Sequence, residues 1–185
     1  MVRLDERLIQ RAADFASGCH YAVRQVRKYT GEPYIHHPAR VALQVRNAGG
    51  TSEMIAAAWL HDTAEDTRVT FGVIESYFGP VVRSYVEALT DPPTVPGGPN
   101  RAARQAATRE RLAGQPGAVH TIKLADLLDN TASILEHDRE FAAVYLPEKQ
   151  LLLSVLTKGD PGLYQKALDQ VTAGLASLAP VEGAE

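Results

Sequence analysis

Apolar residues in this chain recur at three- and four-residue steps almost throughout, and the strict alternation that marks a half-buried strand is scarce. Leu8, Ala12, Phe15, Ala16 and Cys19 show the pattern near the start, since residues spaced in this way share one face of a helix. Ala, Leu, Arg and Gln, all good helix formers, recur along the sequence. The expected fold is all-α, a compact bundle of about eight to ten helices.

The boundaries follow from caps and breakers. A first helix is expected from about Leu4 to Lys28, ended by Thr30-Gly31-Glu32-Pro33. Pro38 suits the first turn of a second, which Gly49-Gly50 stops. Ser52 is the expected N-cap of a third helix reaching toward Asp62, and Thr70 that of a short one separated by Gly79-Pro80 from a helix through Val82, Val86 and Leu89. Asp91 to Asn100 holds four prolines and two glycines, which makes it an irregular loop, and a loop of this length in a compact protein is often functional. Further helices are expected around Arg101–Leu112, Ala118–Leu135, Glu148–Leu156 and Leu163–Leu178.

With 185 residues, 45% of them hydrophobic, the chain can bury a core without crosslinks, and its single Cys19 has no partner within the chain. One domain is expected over residues 1–179, followed by a flexible tail, 180–185. No apolar run approaches the roughly 20 residues of a membrane span, and MVRLDERLIQ lacks a signal-like apolar segment. A net charge of −3 argues against nucleic acid as a partner. The expectation is a soluble cytoplasmic protein, bound to neither membrane nor nucleic acid. Charge is nonetheless uneven: Arg101 to Lys123 carries four Arg and one Lys against Glu110 alone. Exposed apolar positions on the last two helices could form a homodimer face or pack on the core, so a homo-oligomer stays open.

The run Leu60-His61-Asp62-Thr63-Ala64-Glu65-Asp66-Thr67 carries the chemistry. On a helix, or a helix end with one further turn, His61 and Glu65, Asp62 and Glu65, and Asp62 and Asp66 share a face. Three acids with no Lys or Arg between them repel one another, and a cation would make them tolerable. An acidic, solvated helix end is the plain alternative, but apolar Ala56 to Leu60 runs straight into the acids. Elsewhere, Pro33-Tyr34-Ile35-His36-His37-Pro38 offers one of two vicinal imidazoles from a proline-held turn. Asp126 sits among Ile122, Leu124, Ala125, Leu127 and Leu128, where an acid is costly unless paired with Lys123 or bound to metal. Imidazoles and carboxylates without a thiolate make a mixed site suited to Mn, Fe or Zn.

These segments, taken in order, resemble a known family. His61-Asp62 with an earlier His and a later Asp resembles the metal-dependent HD phosphohydrolases, so the helical bundle is expected to be an HD domain. Gly31-Glu32-Pro33-Tyr34-Ile35-His36-His37-Pro38, Leu60 through Thr67, and Ile122-Lys123-Leu124-Ala125-Asp126 through Asn130 are similar to the hydrolase domain of RelA/SpoT-type alarmone enzymes. The likeness covers roughly residues 10 to 160, with no room for a synthetase domain, and points to the small stand-alone alarmone hydrolases. The resemblance implies His37, His61, Asp62 and Asp126 as ligands of a manganese ion and Glu65 and Asp66 as the catalytic pair. It also implies Arg27, Lys28 and Asn130 as substrate-binding residues. The implied reaction is hydrolysis of (p)ppGpp-type 3′-pyrophosphates to GDP or GTP plus pyrophosphate.

Two departures bear on the substrate. Lys28, Tyr29 and Thr30 precede Gly31 where the family has Arg-Lys and a small residue, and Leu127-Leu128-Asp129-Asn130 lacks the basic residue that usually follows Asp126. Base and phosphate number therefore stay open, an adenosine alarmone included. The alternatives are an HD-type phosphatase acting on a nucleoside monophosphate or NADPH, and a non-catalytic nucleotide sensor.

Overall fold

The computed structural model describes residues 4–178, so the expected tail, 180–185, lies outside the described residues. Among these residues the chain forms nine helices: α1 (Glu6–Ala22), α2 (His36–Asn47), α3 (Ser52–Leu60), α4 (Thr63–Asp66), α5 (Phe71–Leu89), α6 (Arg101–Ala113), α7 (Gly117–His137), α8 (Arg139–Leu153) and α9 (Pro161–Leu178). No described residue lies in a multi-residue strand; a lone antiparallel bridge joins Val26 to Pro33. Among the described residues no helix is long and apolar enough to cross a membrane. The all-α expectation holds.

Helix α3 is the axis of the bundle. Ile55, Ala56, Ala57, Ala58 and Leu60 are buried, and α1, α2, α5 and α7 all pack against it. Small alanines let the neighbouring helices approach closely, while Ile55 and Leu60 fill the space between them. Buried apolar residues of α1, α2, α3, α5, α6, α7, α8 and α9 join in one connected cluster.

Several boundaries differ from those expected. The first helix stops at Ala22 rather than Lys28, because Arg24 takes a left-handed φ of 54°. The Arg24 amide then bonds to the Tyr21 carbonyl and the Gln25 amide to the His20 carbonyl, the paired closure that usually announces itself by glycine. The same closure ends α2, this time with Gly49 at φ 77°, and a Cβ on Gly50 would lie 2.6 Å from Val45. Thr51, not Ser52, caps α3, accepting from the Met54 amide; the Ser52 hydroxyl instead accepts the Asp5 amide at 2.7 Å, tying the start of α1 to α3. Helix α8 begins at Arg139, nine residues before Glu148. The Asp138 carboxylate caps it through the Phe141 amide, and the helix accommodates Pro147.

The Thr70 cap and the Gly79 break hold as read, and the structure adds a cap at Asn100. The Thr70 hydroxyl accepts from the Val73 amide, Asn100 caps α6 through Ala103, and Gly79, at φ 86°, divides α5 into two helical halves.

Candidate metal centre and active site

The central helix α3 ends at Leu60, so His61 and Asp62 lie in the turn before α4, whose four residues carry Glu65 and Asp66. This is a helix end with one further turn. The first turn of α2 presents two histidines in opposite directions: His36 is exposed and His37 fully buried, which resolves the choice between them. Asp126 projects from the middle of α7, and α2, α3 and α7 pack on one another, bringing the three segments to one point.

One ligand atom from each of His37, His61 and Asp126 lies within 4.8 Å of the others, and all three residues are buried. His37 Nε2 is 3.2 Å and His61 Nε2 3.8 Å from Asp126 Oδ1. Asp62 Oδ2 stands beside both imidazoles, 3.1 Å from His61 Nε2 and 3.6 Å from His37 Nε2, although it is not part of that compact set of three. The same oxygen accepts the Tyr34 hydroxyl at 2.6 Å.

The two histidines are held in a form that suits a cation. His37 Nδ1 lies 2.6 Å from Asp129 Oδ2 and His61 Nδ1 lies 2.8 Å from the Ala58 carbonyl. Both partners only accept, so each Nδ1 donates and each Nε2 is the ring nitrogen left to face a cation. Both Nε2 atoms are buried without a hydrogen-bond partner. Cis ligands of a first-row divalent ion stand about 3 Å apart, close to the separations seen here, and imidazole with carboxylate suits such an ion. The residues present therefore fit a divalent metal.

Charge around the centre is tightly compensated. Burial alone would raise the Asp126 pKa, but Lys123 and the two imidazoles hold it well below the usual carboxylate range. Lys123 donates to Asp126 Oδ2 at 2.8 Å while Oδ1 faces His37, so the ion pair and the metal-facing arrangement use different oxygens of one carboxylate. Burial disfavours a charged His61, yet Asp62 and Asp126 outweigh it and raise its proton affinity. A cation at this point would take the place of that proton.

Glu65 and Asp66 lie at the rim. Protein packed around each carboxylate raises its pKa and Asp62 adds to the effect, against a hydrogen bond from the Asp91 amide to Glu65 and one from Gln25 to Asp66. Both acids line a cavity of about 590 Å³ whose opposite wall is the proline-rich segment 91–99 and the Arg104, Thr108 and Arg111 face of α6. Part of the irregular loop thus lines the same cavity as the two acids.

Of the expected substrate-binding residues, Asn130 donates to Asp126 Oδ1 at 2.6 Å and accepts from Arg27 at 3.3 Å. Lys28 goes elsewhere, to the Tyr29 hydroxyl and Asp138, with an exposed side chain. Three residues that orient the site carried no role in the sequence reading: Tyr34 on Asp62, Gln25 on Asp66, and Asp129, which also binds Arg40. Tyr34 lies inside the quoted Pro33–Pro38 motif, which was its only sequence signal.

The fold and this cluster define the class: the chain belongs to the HD domain family, whose model matches residues 12–149, a family of metal-dependent phosphohydrolases. Within it the chain groups with the MESH1 and SpoT-type hydrolases. It is 39% identical over 130 residues to "Guanosine-3′,5′-bis(diphosphate) 3′-pyrophosphohydrolase MESH1" of Xenopus tropicalis, covering 68% of this chain and 69% of that one. To the guanosine-3′,5′-bis(diphosphate) 3′-pyrophosphohydrolase of Aquifex aeolicus it is 37% identical over 126 residues, or 68% of this chain but only 18% of that much longer protein. Its fold matches the solved structure of a metazoan orthologue of SpoT that hydrolyses ppGpp, with a TM-score of 0.82 and 24% identity over 94% of this chain and 99% of that one.

Proposed function

We propose that the protein hydrolyses the 3′-pyrophosphate of a purine alarmone, guanosine 3′,5′-bis(diphosphate) first among them, to GDP and pyrophosphate. The observation that carries this reading is the pair of buried, unpartnered Nε2 atoms of His37 and His61 facing Asp126 Oδ1 beside two rim acids. The names of the similar proteins supply the substrate.

His37, His61, Asp62 and Asp126 would hold the metal, with manganese as the ion. When bound, it supplies positive charge that polarises a phosphoryl oxygen and makes water easier to deprotonate. Glu65 or Asp66 takes the proton of the attacking water, and raised proton affinity brings either nearer to useful base strength at neutral pH. Water oxygen bonds to the phosphorus attached to the 3′ oxygen, the bond between that phosphorus and the 3′ oxygen breaks, and the 3′ oxygen leaves with a proton as the free hydroxyl. Arg27 and Asn130, hydrogen-bonded to each other beside Asp126, meet the nucleotide, and Lys28 contributes charge at the outer rim. We assign the reaction to the cytoplasm and to one domain spanning residues 1–179.

Incubation of the protein with Mn²⁺ and, separately, guanosine and adenosine 3′-pyrophosphates should yield inorganic pyrophosphate and the 5′-phosphorylated nucleoside. Orthophosphate instead would favour a general HD phosphatase and overturn the alarmone reading.

A further inference from the structure

Three cations near the centre have an acid of their own. Lys123 bonds to Asp126, Arg101 to Glu148 through both oxygens, and Arg40 to Asp129. Lys149, on α8, is different. Its residue is part-buried, and it makes no hydrogen bond and no ion pair among the described residues. Its ammonium sits 4.7 Å from the centroid of the Tyr145 ring, which is itself buried. A ring face attracts a cation but offers it no acceptor atom.

The charged groups around Lys149 are Lys123, Asp126, Glu148 and Arg101. Both acids are already engaged, Asp126 by Lys123 and Asn130, Glu148 by Arg101. Burial, with Lys123 second, pushes the Lys149 ammonium down to about 8. Three cations thus gather with only two acids, and the excess positive charge stands on the side chain that lacks a partner. A cation partly withdrawn from water and without an acid of its own is costly unless an anion completes it. Its position is also pertinent, since α8 packs on α7, which carries Asp126.

We propose that Lys149, with Arg101 and Lys123 beside it, is a seat for a phosphate group of the substrate. The inference rests on the reading of the centre as a phosphohydrolase site and adds a substrate-binding residue to it. The phosphate is either the 3′-pyrophosphate or the 5′-phosphate chain, and two probes separate them.

The test measures equilibrium binding of inorganic pyrophosphate and of GDP, by calorimetry on the Mn²⁺-loaded full chain, for the parent protein, Lys149→Met, Lys149→Arg and, as a control, the exposed Lys166→Met. A lost charge-assisted contact should weaken one probe about tenfold or more in Lys149→Met, with much of the binding restored by Lys149→Arg and none lost in Lys166→Met. Weakened pyrophosphate binding places the 3′ group on Lys149; weakened GDP binding places the 5′ chain there. Unchanged affinity for both overturns the seat. If Lys149→Met does not fold, the parent protein still decides. Either probe should protect Lys149 severalfold from an amine-acylating reagent as read by mass spectrometry, and protection by neither overturns the seat. The alarmone reading is judged separately by product analysis. Hydrolysis with Lys149 indifferent to both probes removes the seat alone, and probe binding lost in Lys149→Met without alarmone hydrolysis removes the alarmone alone.

Discussion

Asp129 accepts the Nδ1 proton of His37 at 2.6 Å, and that one hydrogen bond decides which ring nitrogen faces Asp126. Arg40 and Arg27 hold the Asp129 carboxylate from the other side. Removing such an outer partner commonly costs 10- to 100-fold in metal affinity. Asp129→Ala should therefore weaken Mn²⁺ binding by about that factor, measured by competition with a chelating dye.

Asp126→Ala should abolish both metal binding and turnover, because it removes a buried carboxylate oxygen 3.2 Å from His37 Nε2. With Glu65 as the base, Glu65→Gln should keep metal affinity within about twofold while lowering kcat by about 100-fold or more, the range of a lost general base. Metal titration beside steady-state kinetics separates the two. Full activity in Asp126→Ala would contradict its role, and undiminished kcat in Glu65→Gln would leave Asp66 as the base.

Gln25 donates to Asp66 at 2.8 Å, which favours the charged carboxylate and opposes the rise that burial imposes. If Asp66 is the base, activity requires it deprotonated and rises with pH through its pKa. Loss of the hydrogen bond raises that pKa, so in Gln25→Met the acid limb of the kcat/KM profile should move to higher pH. A profile superimposable on the parent's would leave Glu65 as the base.

Arg24 occupies the left-handed region at φ 54°, a conformation that costs a residue with a Cβ roughly 1–2 kcal/mol. Arg24→Gly relieves it but gives back part of the gain through a more flexible unfolded chain. The net gain should be about 0.5–1 kcal/mol, or a Tm higher by about 1–4 °C in calorimetry of the metal-stripped protein. A lower Tm would mean that the Arg24 side chain contributes more than its backbone costs.

Saturating Mn²⁺ should raise the Tm of the parent protein, and a chelator should lower it again. At about 100 times its dissociation constant a ligand that binds only the folded state adds about 2.7 kcal/mol. The shift should vanish in Asp126→Ala.

Two boundaries were readable from a glycine pair and a threonine hydroxyl, while at α3 the cap proved to be Thr51 and not the expected Ser52. Gly49-Gly50 closes α2 and Thr70 caps α5 as their residue types imply. The stop of α1 at Arg24 was not legible, since an arginine in the left-handed region has no local signature. Nor was the start of α8, where Pro147 argues against a helix that tertiary packing nonetheless carries through it.

The sequence by itself determined the all-α class and the HD-type pattern, because helical period and motif spacing are local properties of a chain, while the resemblance to a known family singled out His37, His61, Asp62, Glu65, Asp66 and Asp126 as candidates. Only the tertiary structure decided which imidazole of the His36-His37 pair turns inward, that Asp129 and Ala58 fix the two ring nitrogens, and that Lys149 stands without an acid. These depend on contacts between α2, α3, α7 and α8, residues far apart along the chain, and burial and hydrogen-bond partnership arise only when distant segments are packed together.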